Sequence, residues 1–147
     1  MENDKIANER FTQFFMYMDP PTVTAQEHKV IVRNGKPVFF DPPELKAARA
    51  KLTAYLSQHR PDQPYRCGLR LFVKWLFPRG RHPDGAYRIT KPDTDNLQKL
   101  LKDCMTSVGF WEDDAQVCSE LVEKRWVRGI RFGGTASGIW IQVKQLA

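Results

Sequence analysis

Residues 91–117 read KPDTDNLQKLLKDCMTSVGFWEDDAQV, and the rest of the chain is best understood outward from this stretch. It opens with Asp93 and Asp95, one residue apart, and closes on a second acidic pair, Asp113 and Asp114. Between the pairs, apolar residues recur at the spacing of one buried helix face. They are Leu97, Leu100, Leu101, Cys104 and Val108. The sequence therefore predicts an amphipathic helix with two carboxylates near each end.

Each acidic pair has an ordinary structural explanation as well as a functional one. Aspartate is favoured at the start of a helix, where its carboxylate accepts hydrogen bonds from unpaired backbone N–H groups, and it is common in turns. A cap uses only one of Asp93 and Asp95, so the other is left unexplained. A helix over residues 95–108 would be about 20 Å long at roughly 1.5 Å per residue, so the pairs meet only if the following strand returns along it. The residues alone leave capping and a shared metal site both open.

A cluster of these carboxylates would have a clear chemical use. Neighbouring carboxylates repel one another and favour protonation unless a cation neutralises them. Mg²⁺ suits such a site, because it takes a few carboxylate oxygens, keeps waters and accepts phosphate oxygens as its remaining ligands. Lys99, one turn after Asp95, would either bind that phosphate or form a weak i, i+4 ion pair with Asp95.

The composition indicates one globular domain that favours polyanionic partners. The chain has 147 residues, of which 41% are hydrophobic and 27% charged, which suits a single domain with a real core. Its net charge of +6 favours phosphate-rich partners, although charge alone leaves nucleic acid binding open.

Three cysteines without CxxC spacing argue against a disulfide framework or a cysteine zinc site. Without a signal-peptide pattern or a spanning apolar run, we expect a cytoplasmic protein with no membrane partner.

The remaining patterns predict an α+β fold. Strands are expected at 11–18, 28–33, 36–40, 69–77, 117–127 and around 139–144. Asn34-Gly35 should join the second and third as a hairpin, because both turn positions need positive φ. A further helix should open at Asp41, with Asp41 and Glu44 in a capping box. We expect a flexible segment at 1–10 and a single domain at 11–147, with two main helices packed on a mixed or antiparallel sheet.

The segment before Asp93 is rich in Pro, Gly and Arg, which predicts a mobile loop. Its cations, with a lysine of the predicted helix, are candidate contacts to a DNA backbone. These are Arg79, Arg81, Arg88, Lys91 and Lys102. Composition alone favours a solvated connector.

The PDTDNLQK and GFWEDDAQV segments, with the helix between them, closely resemble the signature of RusA-type Holliday junction resolvases. The resemblance extends more weakly over most of the chain. It implies a homodimer, often prophage-encoded, that binds four-way DNA junctions and makes paired symmetric nicks with Mg²⁺ or Mn²⁺. The family's catalytic aspartates fall on Asp93, Asp95 and Asp114, which would ligate the metal. Asp113 would support them as an adjacent acid and ligand, and the functional lysine falls on Lys99.

Some assignments stay open at this level. Asn96 and Gln116 match motif positions but suit supporting or structural roles. Trp111 or an aromatic near Phe14 is a candidate wedge for a DNA junction, although core packing is the better expectation for each. Two other functions fit the same residues: a protein that binds branched DNA without cutting it, and a nuclease for flaps or forks.

Overall fold

The chain alternates strands and helices in the order that its hydrophobic patterns predict. The computed structural model describes residues 10–24 and 29–146, which contain six β-strands and two α-helices. The strands are β1 (Phe11–Met16), β2 (Lys29–Arg33), β3 (Lys36–Phe40), β4 (Leu69–Pro78), β5 (Val117–Val127) and β6 (Gly138–Gln145). The helices are α1 (Pro43–Ser57) and α2 (Thr94–Val108), and short 3-10 helices lie at Asp114–Gln116 and Ile130–Phe132.

Four strands form one mixed sheet in the order β1-β6-β4-β5. β6 pairs antiparallel with both β1 and β4, whereas β4 and β5 pair parallel. Parallel neighbours need a connection that returns from one end of the sheet to the other, and α2 lies in that connection. The predicted α+β domain, with two main helices on a mixed sheet, is confirmed.

The hydrophobic core joins β4 to the buried faces of both helices. α2 buries its predicted apolar stripe together with Gln98 and Met105. Trp75 of β4 reaches into this layer, where its indole Nε1 donates a hydrogen bond to Gln98 Oε1 at 2.8 Å. Fully burying one Leu or Met side chain contributes about 1.5–3 kcal/mol. The stripe therefore fixes the side of α2 that faces the sheet.

β2 and β3 form a separate two-stranded hairpin. Asn34 and Gly35 turn the chain with φ of 52° and 73°, as the Asn-Gly pattern requires. The predicted hairpin is confirmed, except that residue 28 lies outside the described residues.

The capping box predicted for α1 is wrong. Pro42 occupies the N-cap position and Pro43 the first helical position, and no side-chain capping hydrogen bond forms there among the described residues. Asp41 therefore lies one residue before the cap, and its Oδ2 is 3.0 Å from Nε of Arg49. Tandem prolines, which suit a helix start because they lack an N–H, explain the shift.

Within residues 10–24 and 29–146, no helix is both long enough and apolar enough to cross a membrane. The boundary expected between residues 1–10 and 11–147 coincides with the start of the described residues, so it stays a prediction.

Candidate active site

The crossover from β4 to β5 places the two acidic pairs at opposite ends of the sheet. β4 and β5 pair from Leu69↔Val117 at one end to Pro78↔Val127 at the other, with one register shift between Leu69 and Arg70. Asp93 and Asp95 come after the end of β4, whereas Asp114 comes just before the start of β5. α2 runs between them with 15 residues, which is about 22 Å at roughly 1.5 Å per residue.

One copy of the chain does not gather these carboxylates around one point. Among the described residues, no group of three or more Asp, Glu, His or Cys side chains is arranged to hold a metal ion. The ligand set Asp93, Asp95 and Asp114 therefore stays a prediction.

Asp93 and Asp95 are exposed, and neither carboxylate caps α2. Asp93 is the N-cap residue of α2, yet its side chain makes no capping hydrogen bond. Asp95 Oδ1 accepts a hydrogen bond from the Asn96 backbone N–H at 3.0 Å, and both carboxylates face solvent. Two exposed carboxylates are the kind of oxygen donors that Mg²⁺ takes together with substrate phosphate. The residues present thus fit a divalent cation at this end of α2.

The β5 residue that lies beside Asp93 is Lys124 rather than an aspartate. Lys124 Nζ donates to the carbonyl oxygens of Thr90 and Pro92, each at 2.8 Å. Burial lowers the pKa of Lys124, the charge of Arg88 acts in the same direction, and Asp93 opposes both. Sequence analysis missed this role, because a lone lysine in an alternating strand carries no signal of its own.

The segment before α2 contains no helix or strand, as predicted for a loop, but part of it is hydrogen-bonded to β5. Backbone hydrogen bonds run from Gly85 N–H to Trp126 O at 2.7 Å and from Arg88 N–H to Lys124 O at 2.9 Å. Tyr87 also forms an isolated bridge with Arg125. β5 is an edge strand of the sheet, and its free backbone groups explain why this segment pairs there.

Arg88 is held inside this arrangement. Its guanidinium lies over the rings of Phe77 and Trp126, with centroid distances of 4.2 and 4.4 Å. Its Nη2 donates to Lys91 O at 2.5 Å, and burial lowers the pKa of Arg88. These contacts are structural, so the expected contact of Arg88 with DNA stays a prediction.

The other residues predicted to contact DNA differ in whether their charged groups already have a partner in the described part of the chain. Arg81 and Lys91 are exposed. Arg79 Nη1 donates to His82 O at 3.0 Å. Lys102 Nζ lies 2.5 Å from Glu120 Oε1, which ties α2 to β5. Lys99 is exposed on α2, as a phosphate-binding residue should be.

Asp114 belongs to a cluster of hydrogen-bonded polar side chains near the C-terminal end of α2. The Thr106 hydroxyl donates to its Oδ1, and Trp111 Nε1 donates to Thr106 Oγ1 at 2.7 Å. Asp103 lies beside it, and the pKa of Asp103 is raised, first by burial and then by the negative charge of Asp114. The sequence did not identify Asp103 as a neighbour of Asp114. Asp103 and Thr106 are three residues apart, which places these two side chains on one face of α2.

Asp113 and Gln116 shape the turn that carries Asp114. Asp113 Oδ1 accepts from Ala115 N–H at 2.8 Å, and Gln116 Oε1 accepts from Asp113 N–H at 3.0 Å, which completes a capping box. Gln116 Nε2 donates to Tyr65 O at 2.8 Å and to Cys67 O at 3.2 Å. Gln116 has the structural role that sequence suggested, and the described contacts of Asp113 are those of a cap.

The sequence matches a family model described as Endodeoxyribonuclease RusA over residues 20–135. It is similar to an uncharacterized protein, YqaN, of Bacillus subtilis (strain 168), with 27% identity over 124 residues that cover 76% of this chain and 85% of the relative. It is also similar to the crossover junction endodeoxyribonuclease rusA of Lactococcus phage r1t, with 26% identity over 108 residues, or 71% of this chain and 81% of the relative. The family match includes both acidic pairs and α2.

Proposed function

Since this chain belongs to the RusA family of endodeoxyribonucleases, we propose that it resolves four-way DNA junctions by paired, symmetric nicks. The proposal includes Mg²⁺, or Mn²⁺ in its place, as the cofactor, and a homodimer as the active form. Two-fold symmetry suits a junction with two equivalent strands to cut, because each subunit supplies one site. Similarity to the phage protein supports a phage or prophage origin.

The observation that carries the proposal is the exposed carboxylate pair at the start of α2. Asp93 and Asp95 would hold the metal ion, and the positive end of the helix dipole would favour a phosphate beside it. When bound, the ion would polarise the phosphodiester and lower the pKa of the attacking water. Lys99, exposed one turn further along α2, would donate to a phosphate oxygen.

Asp114 needs a second subunit to join the same ion. In one chain α2 holds Asp114 at the end away from Asp93 and Asp95, and the described residues form no cluster of three potential ligands. We therefore propose that dimerisation brings Asp114 of one subunit to the carboxylate pair of the other. Under this arrangement, the monomer lacks a complete metal site.

Asp95→Asn tests the catalytic assignment. It should abolish Mg²⁺-dependent nicking of a labelled four-way junction while junction binding, measured in Ca²⁺ or EDTA, stays nearly unchanged. Asp62→Asn, which removes an exposed carboxylate elsewhere, should cut normally. Full nicking by Asp95→Asn would remove that carboxylate from the mechanism.

Mixed dimers test the shared site. Asp95→Asn and Asp114→Asn are each expected to be inactive alone. If each ion takes ligands from both subunits, a dimer of one Asp95→Asn and one Asp114→Asn chain contains one intact site and should nick one strand. Failure of the mixed dimer to cut would place Asp114 outside the metal site of the partner.

The alternative functions are separated by substrate. Binding to junctions without cleavage in Mg²⁺ would identify a branched-DNA-binding protein. Preferred cleavage of flaps or forks in a panel of branched substrates would identify a nuclease for those structures. Equal cutting of linear duplex would contradict every proposal that depends on branch recognition.

A further inference from the structure

The β2–β3 hairpin is an unusually exposed apolar structure. It lies outside the four-stranded sheet, and each residue from 30 to 40 is exposed. A two-stranded hairpin alone in water is at best marginally stable. Its apolar side chains therefore suggest a partner.

The strand register divides these side chains between two faces. Directly opposed residues of an antiparallel pair share a face. Val30 opposes Phe39 and Val32 opposes Pro37, so one face is wholly apolar. On it Val30, Val32 and Phe39 are 52%, 73% and 68% exposed.

The other face is less exposed and carries the charge. Ile31 opposes Val38, and both are 37% exposed. Arg33 opposes Lys36 on either side of the Asn34-Gly35 turn, so the tip of the hairpin is cationic. Residues 29–40 contain three cations and no acid.

The positive charge at the tip of the hairpin favours a polyanionic partner. Pairing the hairpin with its own copy would bring like charges together. A nucleic acid instead offers phosphates to Arg33 and Lys36 and base faces to the apolar side. Proteins that bend DNA commonly insert apolar side chains between base steps, and a two-stranded ribbon has dimensions that fit a major groove.

We propose that the hairpin is a wedge for the branch point of DNA, with Phe39 packed on an unstacked base and Arg33 and Lys36 on the adjoining phosphates. The proposal rests on the function proposed above, because a junction is where base pairs are most easily unstacked. Of the aromatic residues considered from sequence, Trp111 and Phe14 itself are engaged within the fold, whereas Phe11 and Tyr17 near Phe14 are 54% and 67% exposed. Trp111 is 1% exposed, and Phe14 stacks on His59 with ring centroids 4.5 Å apart.

The test uses the full chain in the inactive Asp95→Asn background, with four-way junctions that carry 2-aminopurine at the branch point. Binding should raise 2-aminopurine fluorescence, which reports unstacking. Adding Phe39→Ala should remove most of the rise and weaken junction binding roughly 5- to 100-fold, the loss expected for one stacked base. Phe132→Ala, which truncates a phenylalanine of similar exposure (66%), should leave both signals unchanged.

The charged tip has its own readout. The log of the binding constant falls as the log of the salt concentration rises. Arg33→Gln with Lys36→Gln should make this negative slope shallower by about 2, since each lost phosphate contact contributes about 0.9. Circular dichroism of each variant checks that the domain stays folded. An unchanged slope would remove these residues from the DNA contact.

Four results would overturn the wedge. Junction binding with an undiminished fluorescence rise in Phe39→Ala would reject it while leaving the proposed nuclease intact. A shift of Phe39→Ala from dimer to monomer in sedimentation, or loss of binding to anionic vesicles, would assign the apolar face to a second copy or to a lipid surface. Failure of the Asp95→Asn protein to prefer junctions over duplex would reject both this inference and the proposed function.

Discussion

Lys124 Nζ lies 2.8 Å from the carbonyl oxygen of Pro92, the residue directly before Asp93. A second bond of the same length, to Thr90, fixes the chain where it enters α2. The ammonium group also lies near enough to Asp93 for their charges to interact. The returning strand thus brings a cation to the first acidic pair, and this cation positions the backbone that carries the proposed ligands.

Lys124→Met should impair cleavage more than stability. The change removes the donor to two carbonyls, which we expect to cost about 1 kcal/mol because this lysine is only partly buried. The entry to α2 then loosens, and nicking of a four-way junction should fall at least roughly tenfold, since small displacements of catalytic groups have large effects on rate. Urea unfolding and single-turnover cleavage measure the two effects.

Controls for this substitution are available in the same chain. Lys124→Arg keeps a charged donor and should recover part of the activity. Lys46→Met removes an exposed lysine of α1 and should leave both measurements unchanged. Equal losses in Lys124→Met and Lys46→Met would mean that overall charge, rather than this contact, is responsible.

Gln116→Glu should be more damaging than its size suggests. The amide accepts from Glu112 and Asp113 N–H groups and donates to the carbonyls of Tyr65 and Cys67. A carboxylate keeps the acceptors but faces two carbonyl oxygens without a proton to donate. We expect a loss of about 2–3 kcal/mol in the free energy of unfolding.

The comparison variant is Gln116→Ala, which loses the acceptor as well as the donors of the amide but adds no charge. It should be destabilised less than Gln116→Glu at neutral pH. Chemical denaturation of both proteins gives the order, and the reverse order would show that losing the acceptor for the Glu112 and Asp113 N–H groups costs more than placing a carboxylate beside two carbonyl oxygens. Asp114 lies in the same short helix, so cleavage should fall in both variants.

Local signals were enough to predict the elements of this site. The apolar stripe and Gly109 fix the limits of α2, and Asn34-Gly35 fixes the hairpin turn, because each depends on a few neighbouring residues. The parallel pairing of β4 with β5 depends on residues far apart in sequence. For that reason neither the separation of Asp114 from Asp93 nor the approach of Lys124 could be predicted.

Gly109→Ala should destabilise the domain through the backbone alone. Gly109 ends α2 in the left-handed region, with φ of 92° and ψ of 30°, and a Cβ there would meet no atom within 4 Å. The left-handed conformation costs an L-residue about 1–2 kcal/mol, so thermal unfolding should show a loss of that size. Gly109→Asn should lose less, because Asn tolerates this region better. Equal losses in the two variants would point to a steric cause instead.

Arg88→Lys separates a structural role from contact with DNA. Lysine keeps the positive charge but cannot reproduce the planar stacking of Arg88 on Phe77 and Trp126, so stability should fall by about 1 kcal/mol. The salt dependence of junction binding should not change. Arg81→Gln, at an exposed position, should show the opposite pattern, with unchanged stability and a salt slope lower by about 0.9 if Arg81 contacts a phosphate. A reduced salt slope in Arg88→Lys would show that the guanidinium reaches the DNA despite its stacked position, and the segment beside β5 would then have to move on binding.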